Sequence, residues 1–419
     1  MKRDSKFELM APAGSYPALA AAIRAGADSV YFGIDQLNMR SRAATPFTLK
    51  DLHRITRICR WCGVQSYLAL NVLVYDEELP TIQEICEAAK SAQIDAIIAS
   101  DIAVIQHARA LGLKIHISVQ ANVSNLESVR FYAQYAEVIV LARELTIEQI
   151  SKISKKIQEE KICGPSGKLL RIELFAHGAL CVAVSGKCYM SLGVYNQSAN
   201  RGSCFQNCRR KYRIIDAETG DELEIQNQFV MSPKDLCTIQ HLDRLANAGV
   251  SIFKLEGRAR PAHYVSITTQ AYRLALNALT KKTYCPEDFS PQKMKLNTVF
   301  NRGFWDGGYY CGKKLGDWAA SGHSQATHKR IQLGIISNYF SRIGIAEFTL
   351  WQESLFPNSK LLIEGPTTGC IQTTAQTLRV EGQPANQAKK GDRVTLPVPA
   401  KVRRNDKIFW LKPAHPTEL

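Results

Sequence analysis

The chain has 419 residues, with 53 Lys and Arg against 38 Asp and Glu and a net charge of +15. That length predicts a catalytic core of roughly 250–300 residues with a smaller companion. Apolar residues make up 45% of the chain, but no stretch approaches the roughly 18–20 uninterrupted apolar positions that a membrane-spanning helix requires, so no membrane partner is expected. The opening MKRDSKFELMAPAG lacks the apolar run of a secretory signal, which predicts a cytoplasmic protein. Twelve cysteines then read as reduced thiols for metal or redox work rather than as a disulfide framework. The positive charge favours a polyanionic partner such as RNA, or an anionic small substrate, although a basic surface also serves solubility.

From residue 7 to about 280, short β-branched runs alternate with helical patterns, as in βα units closing on a parallel sheet. Strands are predicted at 8–10, 29–32, 65–70, 96–99, 114–118, 138–141, 171–175 and 251–254. Helices are predicted at 17–25, 49–62, 78–93, 102–111, 125–134, 147–160, 234–248 and 263–280, with apolar residues three and four apart. Eight of each predict an α/β fold, a (β/α)8 TIM-barrel-like catalytic domain over 1–284. An open doubly wound sheet competes, but no GxGxxG follows the first strand. Between the seventh strand and residue 234 lies a Cys-rich insertion, 176–233, where a few residues would normally suffice. In such a barrel, loops after the strands form the catalytic face. Gly- and aromatic-rich turns (RGFWDGGYYCG) mark a linker or extension over 285–330. Short alternating strands and turn signals over 331–419 predict a C-terminal small β-barrel domain.

Four cysteines, Cys181, Cys188, Cys204 and Cys208, fall inside the insertion, in a segment rich in Gly, Ser and Asn. An iron–sulfur cluster needs several soft thiolates converging on one point, and an irregular loop permits that convergence. A four-cysteine zinc site competes, and Cys204-x3-Cys208 suits one half of it. Cys181-x6-Cys188 is wide for a zinc knuckle, which tilts the balance toward iron–sulfur. Buried free cysteine is the plain alternative. For Cys59 and Cys62 (CRWC), core packing is the better reading, since no thioredoxin-like context surrounds them.

Several predicted strands end in polar residues that would converge on the catalytic face: Asn71, Ser100 with Asp101, Gln120 with Asn122, Arg143 with Glu144, His177, and Glu256 with Arg258. Arg143 and Arg258 have the planar donors that grip carboxylates in bidentate fashion, or each pairs structurally with its neighbouring glutamate. His177 reads as a general acid, a cluster neighbour or a hydrogen-bonded loop histidine. Arg40 and Arg42, in NMRSRA, sit where phosphate or carboxylate would be met. Arg209, Arg210, Lys211 and Arg213, and in the tail Lys401, Arg403, Arg404 and Lys407, form two basic patches suited to an RNA backbone or simply to solvent. No HExxH or GxSxG occurs, so hydrolytic chemistry has little local support.

ELFAHGALCVAVSGKCYMS, ANRGSCFQNCRRKY, MSPKDLC and KLEGR, with the opening ELMAPAG and the central SVQAN, resemble the collagenase-like peptidase U32 family in the family's own order, from residue 7 to about 310. The length and single β-rich tail are most similar to its tRNA 5-hydroxyuridine hydroxylation branch. The resemblance implies a 4Fe-4S cluster, with Cys181, Cys188, Cys204 and either Cys208 or Cys237 as ligands. For the RNA enzymes it also implies prephenate as the hydroxyl source. The leading expectation is therefore oxygen-independent hydroxylation of a tRNA wobble uridine, with His177, Glu256 and Arg258 as catalytic residues and Arg40, Arg42, Gln120, Asn122, Arg143 and Glu144 binding substrate. The alternatives are a collagenase-like peptidase, and a factor in rRNA cytidine or ubiquinone hydroxylation that works with a paralogous protein subunit.

Overall fold

A computed structural model describes residues 6–34, 37–39, 47–223, 227–312 and 317–414. The chain opens with β1 (Glu8–Pro12) and α1 (Tyr16–Arg24), and continues through β2 (Ser29–Phe32), α2 (Leu52–Trp61), β3 (Gln65–Leu70), α3 (Leu79–Ser91), β4 (Ala96–Ala99), α4 (Ile102–Ala110), β5 (Ile115–Ile117), α5 (Leu126–Ala133), β6 (Val138–Val140), α6 (Ile147–Glu159) and β7 (Arg171–Gly178). The insertion carries a six-residue helix α7 (Met190–Tyr195) and a hairpin of β8 (Ile214–Ile215) and β9 (Glu222–Leu223). It is followed by β10 (Asp235–Cys237), α8 (Leu242–Asn247), β11 (Ile252–Leu255) and α9 (Ala262–Thr280). Strands β1 to β7 pair in order, and β11 pairs in parallel with both β1 and β7, closing an eight-stranded parallel barrel.

The predicted helix 234–248 divides into two elements. Its first residues form β10, which runs antiparallel to the end of β7 through Cys237↔His177, and only Leu242–Asn247 is helical. Helical periodicity there is overridden because β7 leaves an edge whose backbone groups need partners. The segment after residue 285 continues the barrel: Phe304–Asp306 pairs with β10 in the same sheet.

Successive strand residues alternate between two cores. Leu9, Val30, Leu68, Ile97 and Ile139 face the helices in the main apolar core. Met10, Tyr31, Tyr67, Ala69, Ile98 and Ile252 fill the barrel interior, the period-2 consequence of the pleat. The interior also holds charge: Lys254 donates to Glu173 at 2.7 Å, and Glu173 lies 3.5 Å from His116 Nδ1. Glu8 accepts hydrogen bonds from Ser29 and Tyr67.

Helix starts are fixed locally. Ser15 caps α1, with Pro17 in the first turn, and Thr146 with Gln149 forms a capping box on α6. Residues 328–413 form an eight-stranded antiparallel sheet around its own core of Leu333, Phe348, Leu361, Ile363 and Val394. It docks on the barrel helices: Glu364 accepts from the backbone of His263 at 2.9 Å, and Arg24 donates to Thr367 O at 3.2 Å. Among the described residues, no helix is long and apolar enough to cross a membrane.

Candidate metal centre and active site

The parallel register places every βα loop at one end of the barrel, and polar side chains from four strands meet there. Asn71, Ser118, Gln120, Arg143, Lys254, Glu256 and Arg258 line a small cavity of about 60 Å³, with Tyr31, Ile98 and Phe175 among its apolar walls. Asn71 donates to Gln120 Oε1 at 3.0 Å and to Ser118 Oγ at 3.1 Å, and Ser118 also donates to Gln120. The Arg143 guanidinium stands over Phe175, 3.8 Å from its centroid, and donates to Ala179 O at 2.8 Å. Glu256 accepts from the Tyr31 hydroxyl at 3.0 Å, and Arg258 donates to Asn38 Oδ1 at 3.1 Å. The glycine of the MAPAG opening has a direct steric role here. A Cβ on Gly14 would fall inside the envelope of the Arg258 carbonyl oxygen, so only glycine lets the first and last barrel loops close together.

The insertion folds over this mouth. A second cavity, of about 110 Å³, is lined by Cys181, Cys188, Cys204 and Cys208 together with Gln120, Arg143, Glu144, Arg209, Arg302 and Tyr309. Met39, Val119, Gln120 and Arg143 border both cavities. Burial pushes the Cys208 thiol up to about 11, Arg209 opposes the shift, and Cys181, Cys204 and Cys188 add to it. The four thiols thus share one electrostatic neighbourhood. They surround a space rather than a point: among the described residues, no group of three His, Cys, Asp or Glu side chains is placed to hold a single ion.

Anchoring of the insertion comes from arginines. Arg209 donates to Leu180 O at 2.6 Å, to Ser232 Oγ at 3.0 Å and to Pro233 O, joining both ends of the insertion. Arg201 makes a two-point pair with Glu78 at 2.7 and 2.9 Å and stacks on Tyr75. Gln206 lies between Cys204 and Cys208 with φ of 55°, a left-handed conformation uncommon outside Gly and Asn, and accepts from Arg302 at 3.3 Å.

The other expected residues fall elsewhere. Cys237 is buried in β10 within hydrogen-bonding range of the Tyr272 hydroxyl, 3.9 Å, and is not among the residues lining the four-thiol cavity. His177 ends a strand rather than sitting in a loop. It is 2% exposed, its Nδ1 is 3.4 Å from the Tyr272 hydroxyl, and burial pushes it down to about 3. It is therefore neutral at pH 7 and borders neither cavity. Asn122 caps a 3-10 turn in a left-handed conformation, φ 53°, outside both linings. Asp101 caps α4. Arg40 and Arg42 lie outside the described residues. Of the CRWC pair, Cys59 packs in the core and Cys62 is exposed.

Sequence reasoning passed over Lys254, Arg302 and Tyr309, and read Arg209 as part of a basic patch where the structure makes it the latch of the insertion. Lys254 was in view within KLEGR, but its alternation into the barrel is visible only once the strand is placed. Arg302 and Tyr309 come from a segment more than a hundred residues from Cys181, with no local signal linking them.

The model of peptidase family U32 matches residues 14–320. A collagenase of Porphyromonas gingivalis (strain W83) is 50% identical over 96% of this chain and 97% of its own length. The tRNA hydroxylation protein P1 of Bacillus subtilis is 31% identical over 70% of this chain and 68% of its own. The 23S rRNA 5-hydroxycytidine C2501 synthase of Escherichia coli is 32% identical over 66% of this chain and 40% of its own. The cysteine-bearing insertion lies inside the matched span, and the chain belongs to peptidase family U32.

Proposed function

We propose that this protein is an iron–sulfur RNA-modifying enzyme that hydroxylates a tRNA wobble uridine to 5-hydroxyuridine without molecular oxygen, with prephenate as the hydroxyl source. One observation carries the reading: four cysteine thiols ring a cavity that shares Gln120 and Arg143 with a cationic barrel mouth. An all-thiol donor set suits iron–sulfur chemistry. Cys181, Cys188, Cys204 and Cys208 would hold the cluster, with Cys208 favoured over Cys237 because Cys208 lines the cavity. A bound cluster would supply a redox-active or Lewis-acidic centre beside the substrate.

The chain's own groups define what enters the mouth. Asn71 and Gln120 present amide donors and acceptors of the kind that read the edge of a base. Arg143, Lys254 and Arg258 favour anionic substituents. Exposed Arg210, Lys211 and Arg213 on the insertion, and Lys401, Arg403, Arg404 and Lys407 on the C-terminal domain, offer a phosphate track. Relatives named for tRNA hydroxylation and rRNA hydroxycytidine synthesis support an RNA substrate.

Mass spectrometry of tRNA nucleosides from a deletion strain is the deciding experiment. The expected result is loss of 5-hydroxyuridine derivatives, restored by the wild-type gene but not by Cys181→Ala or Cys208→Ala, whose proteins also lose iron and brown colour. Unchanged tRNA nucleosides would overturn the reading. A collagen-degrading peptidase is the second reading, favoured by the name of the 50% identical relative. Iron-independent cleavage of a defined collagen peptide by the purified protein would establish it.

A further inference from the structure

Beside the four-thiol cavity lies another, partly open space of about 320 Å³, lined by Gln206, Asp235, Glu256, Arg260, Phe300 and Arg302 among others. Gln206 and Arg302 also line the four-thiol cavity, and Glu256 also lines the barrel mouth. The space is therefore one side chain away from each. On its far side, Tyr264, Phe300, His323 and Ser324 are shared with a wider cavity of about 480 Å³ facing the C-terminal domain. A small molecule has an approach there that does not pass through the barrel mouth.

Two guanidinium groups flank Phe300, Arg260 at 3.3 Å and Arg302 at 4.8 Å from its ring centroid. Arg302 is committed to Asp235 at 3.3 Å and to Gln206 at 3.3 Å. Arg260 is different. Among the described residues its guanidinium has the Phe300 stack and no hydrogen bond or ion pair; burial lowers its pKa, with the nearby Asp235 and Glu256 charges opposing that shift. Glu256, which also borders the space, accepts from the Tyr31 hydroxyl. A half-buried guanidinium with no ion pair of its own keeps its hydrogen-bonding capacity for a ligand. Stacking on an aromatic ring fixes its plane and leaves the N–H fork available to a planar two-oxygen anion.

We propose that this cavity binds a small carboxylic acid, with Arg260 as the bidentate anchor for the carboxylate and Phe300 and Tyr264 as the apolar wall for the rest of the molecule. A volume near the lower end of ligand pockets suits a compact organic acid. An RNA strand needs an open groove along its backbone instead. Assigning this acid as the co-substrate rests on the hydroxylation reading above, whereas its binding rests on the cavity alone.

Calorimetric titration of the full-length, iron-loaded protein tests the inference, with phenylacetate and malonate as carboxylate probes and inorganic phosphate and uridine monophosphate as phosphate probes. The expected result is carboxylate binding that weakens at least about tenfold in Arg260→Ala, the loss of a charged hydrogen-bonded pair. Arg260→Lys should weaken it less, and iron content should be unchanged in both. If Arg260→Ala melts early, Arg260→Lys and Phe300→Leu carry the test, each expected to bind carboxylate more weakly than wild type. Failure of both carboxylates to bind at millimolar concentration overturns the proposal, as does undiminished binding by the variants. Arg260-dependent binding of the phosphate probes alone overturns it in favour of an RNA phosphate site. Arg260-dependent carboxylate binding by a protein whose deletion leaves tRNA unchanged supports the cavity and defeats only the hydroxylation reading.

Discussion

Replacing Lys254 by Met removes one half of a charge pair at the centre of the barrel. Lys254 Nζ lies 2.7 Å from Glu173 Oε1, with side-chain exposures of 4% and 0%. Coulomb attraction at that distance amounts to about 6 kcal/mol at an effective dielectric of 20, most of it offset by the desolvation of both groups. Truncating one partner strands the other, which costs about 3–5 kcal/mol. The sign of the pH dependence follows from Glu173. Burial raises its pKa, but Lys254 and His116 outweigh burial and hold it at about 2, below its ordinary 4.5. In the wild type the pair therefore stabilises above pH 4.5 and loses its contribution as pH falls toward 2. In Lys254→Met, burial dominates and the Glu173 carboxyl moves upward. The variant's deficit is then full at pH 7 and shrinks as pH falls through that raised value. Urea unfolding of wild type, Lys254→Met, Glu173→Met and the double variant from pH 7 to pH 4 measures this. We expect the double variant to recover at least about 2 kcal/mol of the summed single losses. A Lys254→Met protein within 1 kcal/mol of wild type at pH 7, or a pH-independent deficit, would refute the reasoning.

Three further outcomes are expected. Arg201→Ala removes the partly exposed pair with Glu78 and the stack on Tyr75, costing about 1 kcal/mol and speeding proteolytic nicking within the insertion. Because Arg201 holds the Glu78 pKa below its ordinary value, this contribution is present at neutral pH and fades on acidification; cleavage rates unchanged from wild type at pH 7 would count against it. His177 and His263 are both pushed down to about 3 by burial, so below pH 6.5 the unfolded chain binds protons that the folded chain refuses. Stability should fall by up to about 1.4 kcal/mol per pH unit for each, and His177→Phe should flatten the slope seen in urea midpoints between pH 7 and 5. Gly14→Ala should cost about 1–3 kcal/mol by overpacking against the Arg258 carbonyl, read as a lowered melting temperature; an unchanged melting temperature would rule out the close approach.

Much of the fold is legible in the sequence because a barrel strand and its helix each carry a local hydrophobic signature. The short, mostly apolar run over 8–12 is buried on both faces and the three-four spacing over 52–61 on one, and repetition of the unit closes the sheet. The concentration of thiols in residues 181–208 and the polar residues at 71, 120, 143 and 258 were likewise visible, because their chemistry is unusual for strand ends and loops. Tertiary structure alone separated residues that look alike in sequence. Cys208 and Cys237 are both plausible thiols, but β10 turns Cys237 into the barrel wall beside Tyr272 while the arginine-latched insertion turns Cys208 toward the other three. His177 became a buried neutral core group because β7 runs farther than its apolar pattern suggests and β10 covers its end. Arg260, Arg302 and Tyr309 reached the site only through chain closure. Periodicity and composition record a residue's immediate environment, whereas convergence of side chains over a hundred residues apart is set by how loops pack across the barrel mouth.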